Sequence, residues 1–262
     1  MISILTPTYN RAYTLERLFE SLVAQNDQNF EWVIVDDGST DNTKELVLRL
    51  EQKKQIPIKY YYKDNTGKPT ALNIGAKKCS GDYIFIVDSD DALTNDAISS
   101  LKQSIDQAKQ ENTPISGVGF RRSYFSGEII GNVFDEHTHS ILYLNASEAA
   151  TMLRGDLAYC FDKKYLLDHP FPSYKDEKFV PELYIWNRIT EQAKIRFNIV
   201  KSIYLCDYLE DGLSRNFKLQ LRMSPKGFKL FYLDQFKREK HLNKKIKMAI
   251  RYLQCCLYEK LK

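Results

Sequence analysis

Residues 82–91 have the sequence Asp-Tyr-Ile-Phe-Ile-Val-Asp-Ser-Asp-Asp, an apolar run that ends in three closely spaced carboxylates. The run over residues 83–87 predicts a strand that is buried on both faces. Asp88, Asp90 and Asp91 follow it within four positions, where their like charges repel one another unless a cation is bound. Carboxylate oxygens suit Mg²⁺ or Mn²⁺, with substrate phosphates completing the coordination shell. The alternative is an acidic turn that caps the next helix.

The residues before this stretch alternate between predicted strands and amphipathic helices. We expect strands at residues 2–5, 30–37 and 58–63, with helices at 14–25, around 46–50, and at 70–78. This alternation predicts βαβ units and a largely parallel sheet. Polar residues follow each strand, at 6–11, 36–39, 65–68 and 88–91. Because ligands of open α/β sheets bind outside the carboxyl ends of the strands, we expect these four segments to converge on one site.

The second half of the chain has a less regular pattern. We expect helices at 95–112, 147–154 and 181–192, β-rich segments at 115–134 and 195–208, and helical structure from residue 224 onward. There is no internal repeat and no low-complexity linker. The sequence therefore predicts a single α/β body with a helical C-terminal extension.

Composition and charge narrow the class of protein. Of the 262 residues, 43% are hydrophobic and 27% are charged, and no run of 18 apolar residues occurs, which is typical of a soluble globular protein. Residues 1–7 lack a basic signal-peptide pattern, and the five cysteines lack Cys-x-x-Cys spacing, so we expect a cytoplasmic protein with free thiols. Residues 218–262 carry 13 Lys or Arg against 3 Asp or Glu. This excess of positive charge is informative about binding partners and not about the fold.

Three further segments carry a resemblance to a known family. Residues 4–11 (Ile-Leu-Thr-Pro-Thr-Tyr-Asn-Arg), 33–41 (Val-Ile-Val-Asp-Asp-Gly-Ser-Thr-Asp) and 67–76 (Gly-Lys-Pro-Thr-Ala-Leu-Asn-Ile-Gly-Ala), together with the Asp-x-Asp strand, resemble family 2 glycosyltransferases of the GT-A fold. The resemblance implies a Rossmann-like, mostly parallel central sheet flanked by helices. It divides the chain into a catalytic domain at 1–215, with a nucleotide-binding half at 1–92 and an acceptor-binding half at 93–215, and a basic helical extension at 216–262.

The resemblance also implies a nucleotide-diphosphate sugar donor, most often a UDP-sugar, and a divalent metal, Mn²⁺ or Mg²⁺. Asp37 would accept a hydrogen bond from the uracil imide, and Asp90 and Asp91 would hold the metal. The implied donor-binding residues are Pro7, Tyr9, Arg11, Asp37, Gly38, Lys68, Asn73, Asp88, Ser89, Asp90 and Arg215. Simpler interpretations exist for several of them: Tyr9 as a packed aromatic, Lys68 as a solvated loop charge, Gly38 as a turn residue with positive φ.

An inverting transfer needs a carboxylate that takes the proton of the acceptor hydroxyl. The family commonly places this base in a Glu-Asp pair four residues before a Trp. Counting back from Trp186 assigns the base to Glu182, while Pro181 replaces the acid that usually precedes it. The alternative is that Glu182 only complements the helix dipole. Asp176 and Glu177 are nearby substitutes, which we interpret as solvated loop charges.

Two loops and the basic tail leave alternatives open. Residues 211–216 resemble the family's mobile segment, in which Arg215 would clamp the diphosphate or else be a surface arginine. His137 and His139 are interpreted as loop histidines rather than a metal pair. The tail predicts either a helix at the inner face of a membrane, suited to a lipid-linked saccharide acceptor, or a helix packed on the body. No nucleic-acid partner is expected, and oligomeric state is not indicated.

Competing functions lack their own motifs. A pyrophosphorylase needs a Gly- and Arg-rich loop after the first strand, a dehalogenase-type phosphatase needs Asp-x-Asp on that strand, and an oxidoreductase needs Gly-x-Gly-x-x-Gly. We therefore expect an inverting glycosyltransferase of surface or extracellular polysaccharide synthesis. The alternative is a non-catalytic carbohydrate- or nucleotide-binding relative that keeps the pocket.

Overall fold

The computed structural model describes residues 1–135, 140–209 and 217–261 of the chain. The first half alternates strands and helices: β1 (Ile2–Thr8), α1 (Ala12–Val23), β2 (Phe30–Asp36), α2 (Thr43–Gln52), β3 (Ile58–Tyr62), α3 (Lys68–Lys78), β4 (Tyr83–Ile86), β5 (Ala92–Leu93) and α4 (Ala97–Gln110). The second half continues with β6 (Gly117–Ser123), β7 (Ile141–Leu144), α5 (Ala146–Leu153), β8 (Leu157–Asp162), α6 (Lys163–Asp168), α7 (Glu182–Gln192), β9 (Ile195–Leu205), α8 (Phe217–Met223), α9 (Pro225–Arg238) and α10 (Leu242–Lys260).

All the strands belong to one sheet with the order β3-β2-β1-β4-β8-β6-β9-β5, and β7 pairs with β9. The four strands β3, β2, β1 and β4 run parallel to one another. Beyond β4 the pairing is mixed, because β8 runs antiparallel to both β4 and β6 whereas β6 and β9 are parallel. The predicted α/β class, with a helix-flanked central sheet and a helical C-terminal region, is confirmed, and its parallel part is concentrated in the first half.

Two hydrophobic layers cover the two faces of the sheet. Every residue of β1 and β2 is buried, as expected for parallel strands between helical layers. One layer contains the apolar faces of α1, α2 and α4, and the other contains those of α3, α5 and α7. Since both faces are covered, the polar segments that follow the parallel strands lie at the carboxyl edge of the sheet.

Helix α1 begins earlier than the sequence predicts. Its first residue is Ala12, and Thr14, at which we expected the helix to start, lies inside the first turn, where its hydroxyl donates to the Ser89 carbonyl at 3.0 Å. The start of the helix is bound from the segment before α2: the Ala12 N–H donates to Asp41 Oδ2 at 3.1 Å, and the Arg11 N–H donates to Thr43 Oγ1 at 3.2 Å. These partners are about thirty positions away, so a local pattern does not reveal them.

Helix α9 is fixed to the body by a carboxylate that we interpreted as a solvated loop charge. Glu177 is only 6% exposed and accepts hydrogen bonds from the N–H groups of Lys226 (2.9 Å) and Gly227 (3.0 Å) at the first turn of α9. The Asn187 amide on α7 also donates to Asp234 of α9 at 3.1 Å. The interpretation of Glu177 was therefore wrong: its charge binds the exposed N–H groups of a helix start.

Candidate active site

The segments that follow β1 and β2 are interlocked. Asn10 adopts φ +51°, a left-handed conformation that Asn tolerates, and its side-chain oxygen accepts a hydrogen bond from the Thr40 N–H at 2.8 Å. Its own N–H donates to Ser39 Oγ at 2.9 Å. Gly38 has φ +80°, and a Cβ there would lie 2.8 Å from the Asn65 nitrogen. The turn interpretation of Gly38 is thus confirmed, and its donor-binding role stays a prediction.

Asp37, the predicted uracil-binding residue, anchors the segment that precedes α3. Its carboxylate is buried and accepts hydrogen bonds from the N–H groups of Thr66 (2.9 Å) and Gly67 (2.8 Å), and it is paired with the Lys63 ammonium. A carboxylate offers about four acceptor positions, so one position remains for a base imide. Because Asp37 binds the backbone of Thr66 and Gly67, it also fixes the backbone position of Lys68, which follows Gly67 in the sequence.

Asp88 lies between two cations. One carboxylate oxygen lies 2.6 Å from Lys68 Nζ and the other lies 3.7 Å from Arg122 Nη1. The Asp88 N–H donates to the Tyr204 hydroxyl at 2.9 Å. Lys68 is thus a partly buried ion-pair partner, which excludes the alternative of a solvated loop charge.

Asp90 and Asp91 have different surroundings although they are adjacent. The Asp91 side chain is 6% exposed, accepts a hydrogen bond from the Tyr204 hydroxyl at 2.6 Å, and lies 3.6 Å from Arg122 Nη1. The Asp90 side chain is 22% exposed and lies 3.7 Å from Arg11 Nε. Asp91 therefore points inward, whereas Asp90 is the carboxylate of the pair that remains open to a ligand.

The three carboxylates have divergent pKa values. Burial raises the pKa of Asp91 to about 8, and repulsion from Asp88 adds to the effect. The pKa of Asp90 is also raised, first by burial and then by the charge of Asp88. Burial acts in the same direction on Asp88, but the nearby Lys68 and Arg122 outweigh it and lower the pKa. Asp90 and Asp91 are thus under-compensated carboxylates, which is the electrostatic condition for binding a further cation.

Glu182, the predicted base, lies next to this acid cluster. It is the first residue of α7, and its carboxylate is 2.8 Å from Lys68 Nζ. Four positions later, Trp186 packs against Phe161, with ring centroids 4.6 Å apart, and against Phe171, at 5.6 Å. The buried Trp186 holds α7 in place, and the start of the helix presents Glu182 to Lys68.

Asn73 has a structural role that the sequence did not predict. Its amide nitrogen donates to the Phe171 carbonyl at 2.9 Å, and its oxygen accepts from the Phe171 N–H at 2.8 Å. Both polar groups of the side chain are therefore bound to the backbone that leads to α7. These bonds position the segment that leads to α7, and the donor-binding role of Asn73 stays a prediction.

We expect Asn73→Ala to lower the free energy of unfolding by about 1–3 kcal/mol, because the buried Phe171 groups lose their partner. UDP affinity should stay within about twofold of the unmodified protein. Urea unfolding and calorimetric titration measure the two effects, and Asn243→Ala on the exposed side of α10 is the matched control, expected within about 0.5 kcal/mol. A tenfold loss of UDP affinity without a loss of stability would instead support the donor-binding role.

The remaining predicted residues occupy varied positions. Pro7 is buried within β1, Ser89 is buried beside α1, and Tyr9 is 45% exposed at the end of β1. Arg215, His137 and His139 lie outside the described residues. The assignments of these six residues stay predictions.

Sequence reasoning missed Arg122 and Tyr204. The Arg122 guanidinium lies 3.9 Å from the centroid of the Tyr204 ring and bridges Asp88 and Asp91. The one available signal was a pair of arginines within the otherwise apolar segment that forms β6. Their contacts depend on strands β6 and β9, which are distant from the Asp-x-Asp stretch in sequence.

A comparison with protein families finds a match in the first half of the chain. A family model described as glycosyl transferase family 2 matches residues 3–128, which include β1 through β6 and the acid cluster. Residues 3–128, just under half of the chain, therefore match glycosyl transferase family 2. This assignment confirms the resemblance carried by the sequence motifs.

Curated relatives match part of the chain and part of their own length. An uncharacterized glycosyltransferase of Rickettsia bellii is 33% identical over 142 residues, which are 51% of this chain and 20% of that protein. The GalNAc(5)-diNAcBac-PP-undecaprenol beta-1,3-glucosyltransferase of Campylobacter jejuni is 34% identical over 108 residues, 40% of this chain and 35% of that protein. The chain therefore spans less than half the length of these two relatives.

Solved structures extend the fold likeness to almost the whole chain. S. aureus TarS 1–349 in complex with UDP-GlcNAc matches with a TM-score of 0.68 at 18% identity, covering 97% of this chain and 72% of that one. The mannosyltransferase PcManGT from Pyrobaculum calidifontis, in complex with GDP-Man and Mn²⁺, matches with a TM-score of 0.62 at 15% identity, covering 98% and 73%. The likeness confirms the predicted GT-A fold.

Proposed function

We propose that this family 2 chain is an inverting glycosyltransferase that moves a sugar from a nucleotide-diphosphate donor, a UDP-sugar, to an acceptor hydroxyl. The observation that carries the proposal is the shared ammonium of Lys68, which is 2.6 Å from Asp88 and 2.8 Å from Glu182. It brings a candidate base next to the acidic cluster at the carboxyl edge of the sheet, where ligands of such sheets bind. A UDP-GlcNAc complex of a protein with this fold supports the choice of donor.

The family implies a divalent metal, and the residues present fit one in part. Among residues 1–135, 140–209 and 217–261, no group of three or more His, Cys, Asp or Glu is arranged to hold a metal ion. Asp90 offers a partly open carboxylate with a raised pKa, and Asp91 is the adjacent carboxylate. The remaining ligands would be diphosphate oxygens. When bound, the metal stabilises the charge of the leaving diphosphate as a Lewis acid.

Residues of the chain supply the other requirements. Asp37 accepts a hydrogen bond from the uracil of the donor, and the exposed ring of Tyr9 is available to contact the same nucleobase. Lys68 offers its ammonium to the diphosphate, whose negative charge grows as the bond to the anomeric carbon breaks. Glu182 takes the proton of the acceptor hydroxyl as that oxygen attacks the opposite side of the sugar ring. These steps invert the configuration at the anomeric carbon.

Calorimetric titration of UDP, GDP, CDP and dTDP, each with Mn²⁺ and with EDTA, tests the proposal. We expect UDP to bind more tightly than the other nucleotides and only weakly in EDTA. We also expect Mn²⁺ alone to bind weakly, because of Asp90 and Asp91 only Asp90 is partly open and the remaining ligands come from the diphosphate. Tight UDP binding with neither transfer nor hydrolysis of any UDP-sugar would favour the non-catalytic alternative instead.

A lipid-linked acceptor in surface polysaccharide synthesis is the finer part of the proposal. The Campylobacter jejuni relative is named for an undecaprenol-linked acceptor, and an enzyme that uses such an acceptor works at a membrane surface. None of the helices in the described ranges is long and apolar enough to cross a membrane. We propose that a surface of the folded chain contacts the lipid.

Helix α10 has the pattern of a helix that lies on a membrane. Its outer face carries an apolar stripe whose residues are 49–84% exposed: Leu242, Ile246, Ile250, Leu253, Leu257 and Leu261. The opposite face is anchored through buried Cys255, which packs with α8 and α9 residues. Lys245 and Lys247 lie about 100° to either side of Ile246 around the helix axis. Such cations beside an apolar stripe favour an anionic lipid surface.

Replacing Ile246, Ile250 and Leu253 together with Gln should weaken flotation on phosphatidylglycerol vesicles by at least about tenfold, because both apolar burial and close approach of the cations are lost. Leu48→Gln with Val133→Gln, on exposed sites elsewhere, is the matched control. Vesicles of phosphatidylcholine alone should bind weakly. Unchanged flotation would contradict the membrane role, and a change only in oligomeric state on gel filtration would indicate that the stripe contacts a second copy of the chain.

A further inference from the structure

The Lys68 side chain links the two halves of the proposed mechanism. An ammonium has three donors, and two of them are directed at Asp88 and Glu182. The two carboxylates do not depend equally on Lys68, because Asp88 has Arg122 as a second cation at 3.7 Å. Glu182 has no second cation within 4 Å among the residues that the structure describes, so Lys68 alone compensates its charge. Withdrawal of Lys68 therefore affects Glu182 more than Asp88.

The backbone around Lys68 is held in place, so that only its side chain is free to move. Asp37 binds the two preceding N–H groups, those of Thr66 and Gly67. Gly67 has φ +101°, and a Cβ there would lie 2.1 Å from the Lys178 carbonyl oxygen, so the segment is packed against the chain that leads to α7. A ligand that attracts the ammonium must rotate the side chain about this fixed point.

A donor diphosphate beside the acid cluster is such a ligand. It carries more negative charge than a single carboxylate and offers several oxygens to an ammonium. We propose that Lys68 is shared between Glu182 and the donor diphosphate, so that donor binding draws the ammonium away and releases the Glu182 carboxylate to act as base. This inference rests on the proposed function. It makes Lys68 a donor-binding residue that also links donor binding to the readiness of the base.

The inference has a reciprocal consequence that is measurable without turnover. If donor binding breaks the pair between Lys68 and Glu182, then removing the charge of Glu182 must favour donor binding by the same free energy. The gain must disappear when Lys68 is absent. A purely structural role of the ion pair predicts the opposite, since loss of Glu182 would then loosen the site and weaken binding.

The test is a double-mutant cycle on the affinity for UDP with Mn²⁺, in the full chain. We expect Glu182→Gln to tighten UDP binding about fivefold or more, and Lys68→Met to weaken it about tenfold. In the Lys68→Met background, Glu182→Gln should change the affinity less than twofold. Glu191→Gln, at the other end of α7, controls for a general loss of negative charge.

Each outcome has a distinct meaning. An equal gain with and without Lys68 would indicate simple repulsion between Glu182 and UDP, and would overturn the inference, as would no gain in the single variant. If Lys68→Met fails to fold, Lys68→Gln replaces it, and the single Glu182→Gln measurement still decides the sign. If UDP binds to none of these proteins, including the unmodified one, the proposed function fails rather than the role of Lys68.

Discussion

Replacing Glu182 with Gln is expected to lower kcat for sugar transfer about 10²- to 10⁴-fold, while UDP still binds. The amide keeps the shape of the side chain but cannot take a proton from the acceptor hydroxyl. Glu182→Asp keeps the carboxylate on a side chain one methylene shorter, so it should recover part of the lost rate. Initial rates of UDP release at saturating donor and acceptor measure the effect.

Glu191→Gln is again the matched control, because it changes the same residue type on the same helix at an exposed ion pair with Arg238. Its rate should stay within about twofold of the unmodified protein. A Glu182→Gln variant that retains more than a tenth of the activity would mean that another group acts as the base. Asp176 would then be the next carboxylate to replace, since Glu177 is bound to the start of α9.

Replacing Asp90 with Asn is expected to lower the rate about a hundredfold and to raise the Mn²⁺ concentration needed for half-maximal activity. The loss follows from removing the more open carboxylate of the acid cluster, leaving Asp91 turned toward Tyr204. Titration of activity against Mn²⁺ at fixed UDP-sugar measures the shift. Asp106→Asn on the exposed face of α4 is the control.

The opposite result for Asp90 is also informative. If Asp90→Asn leaves the Mn²⁺ requirement unchanged while Asp91→Asn abolishes it, the inward carboxylate must turn toward the diphosphate when the donor binds. In that case, Tyr204→Phe should strengthen Mn²⁺-dependent binding, because it frees Asp91 from the hydroxyl that holds it.

The sequence predicted those parts of the fold that depend on local periodicity. The apolar runs that became β1, β2 and β4 are buried, and the polar residues after them do meet at one edge. The spacing from Trp186 back to Glu182 located a carboxylate that lies beside the acid cluster. In each case the signal was carried by neighbouring residues, so it could be recognised without knowing the tertiary contacts.

The errors have a common physical cause, namely partners that are distant in sequence. The structural role of Asn73 was missed because its partner, the Phe171 backbone, lies 98 positions later. Glu177 stands in a polar loop, yet it binds the start of α9 about fifty positions later. Arg122 gave no periodic signal at all. Hydrogen-bond satisfaction of this kind is decided by the packing of whole elements and not by local pattern.

The hydroxyl of Tyr204 has a consequence for attempts to recombine relatives of this chain. It accepts a hydrogen bond from the Asp88 backbone and donates one to Asp91, although it comes from β9. Arg122 of β6 adds a second connection from the same half of the chain. The motif-bearing segment at residues 1–92 therefore does not hold its aspartates in place without contacts from the second half of the chain. A hybrid that joins it to another second half will keep the arrangement of its aspartates only if that half brings an equivalent tyrosine and arginine.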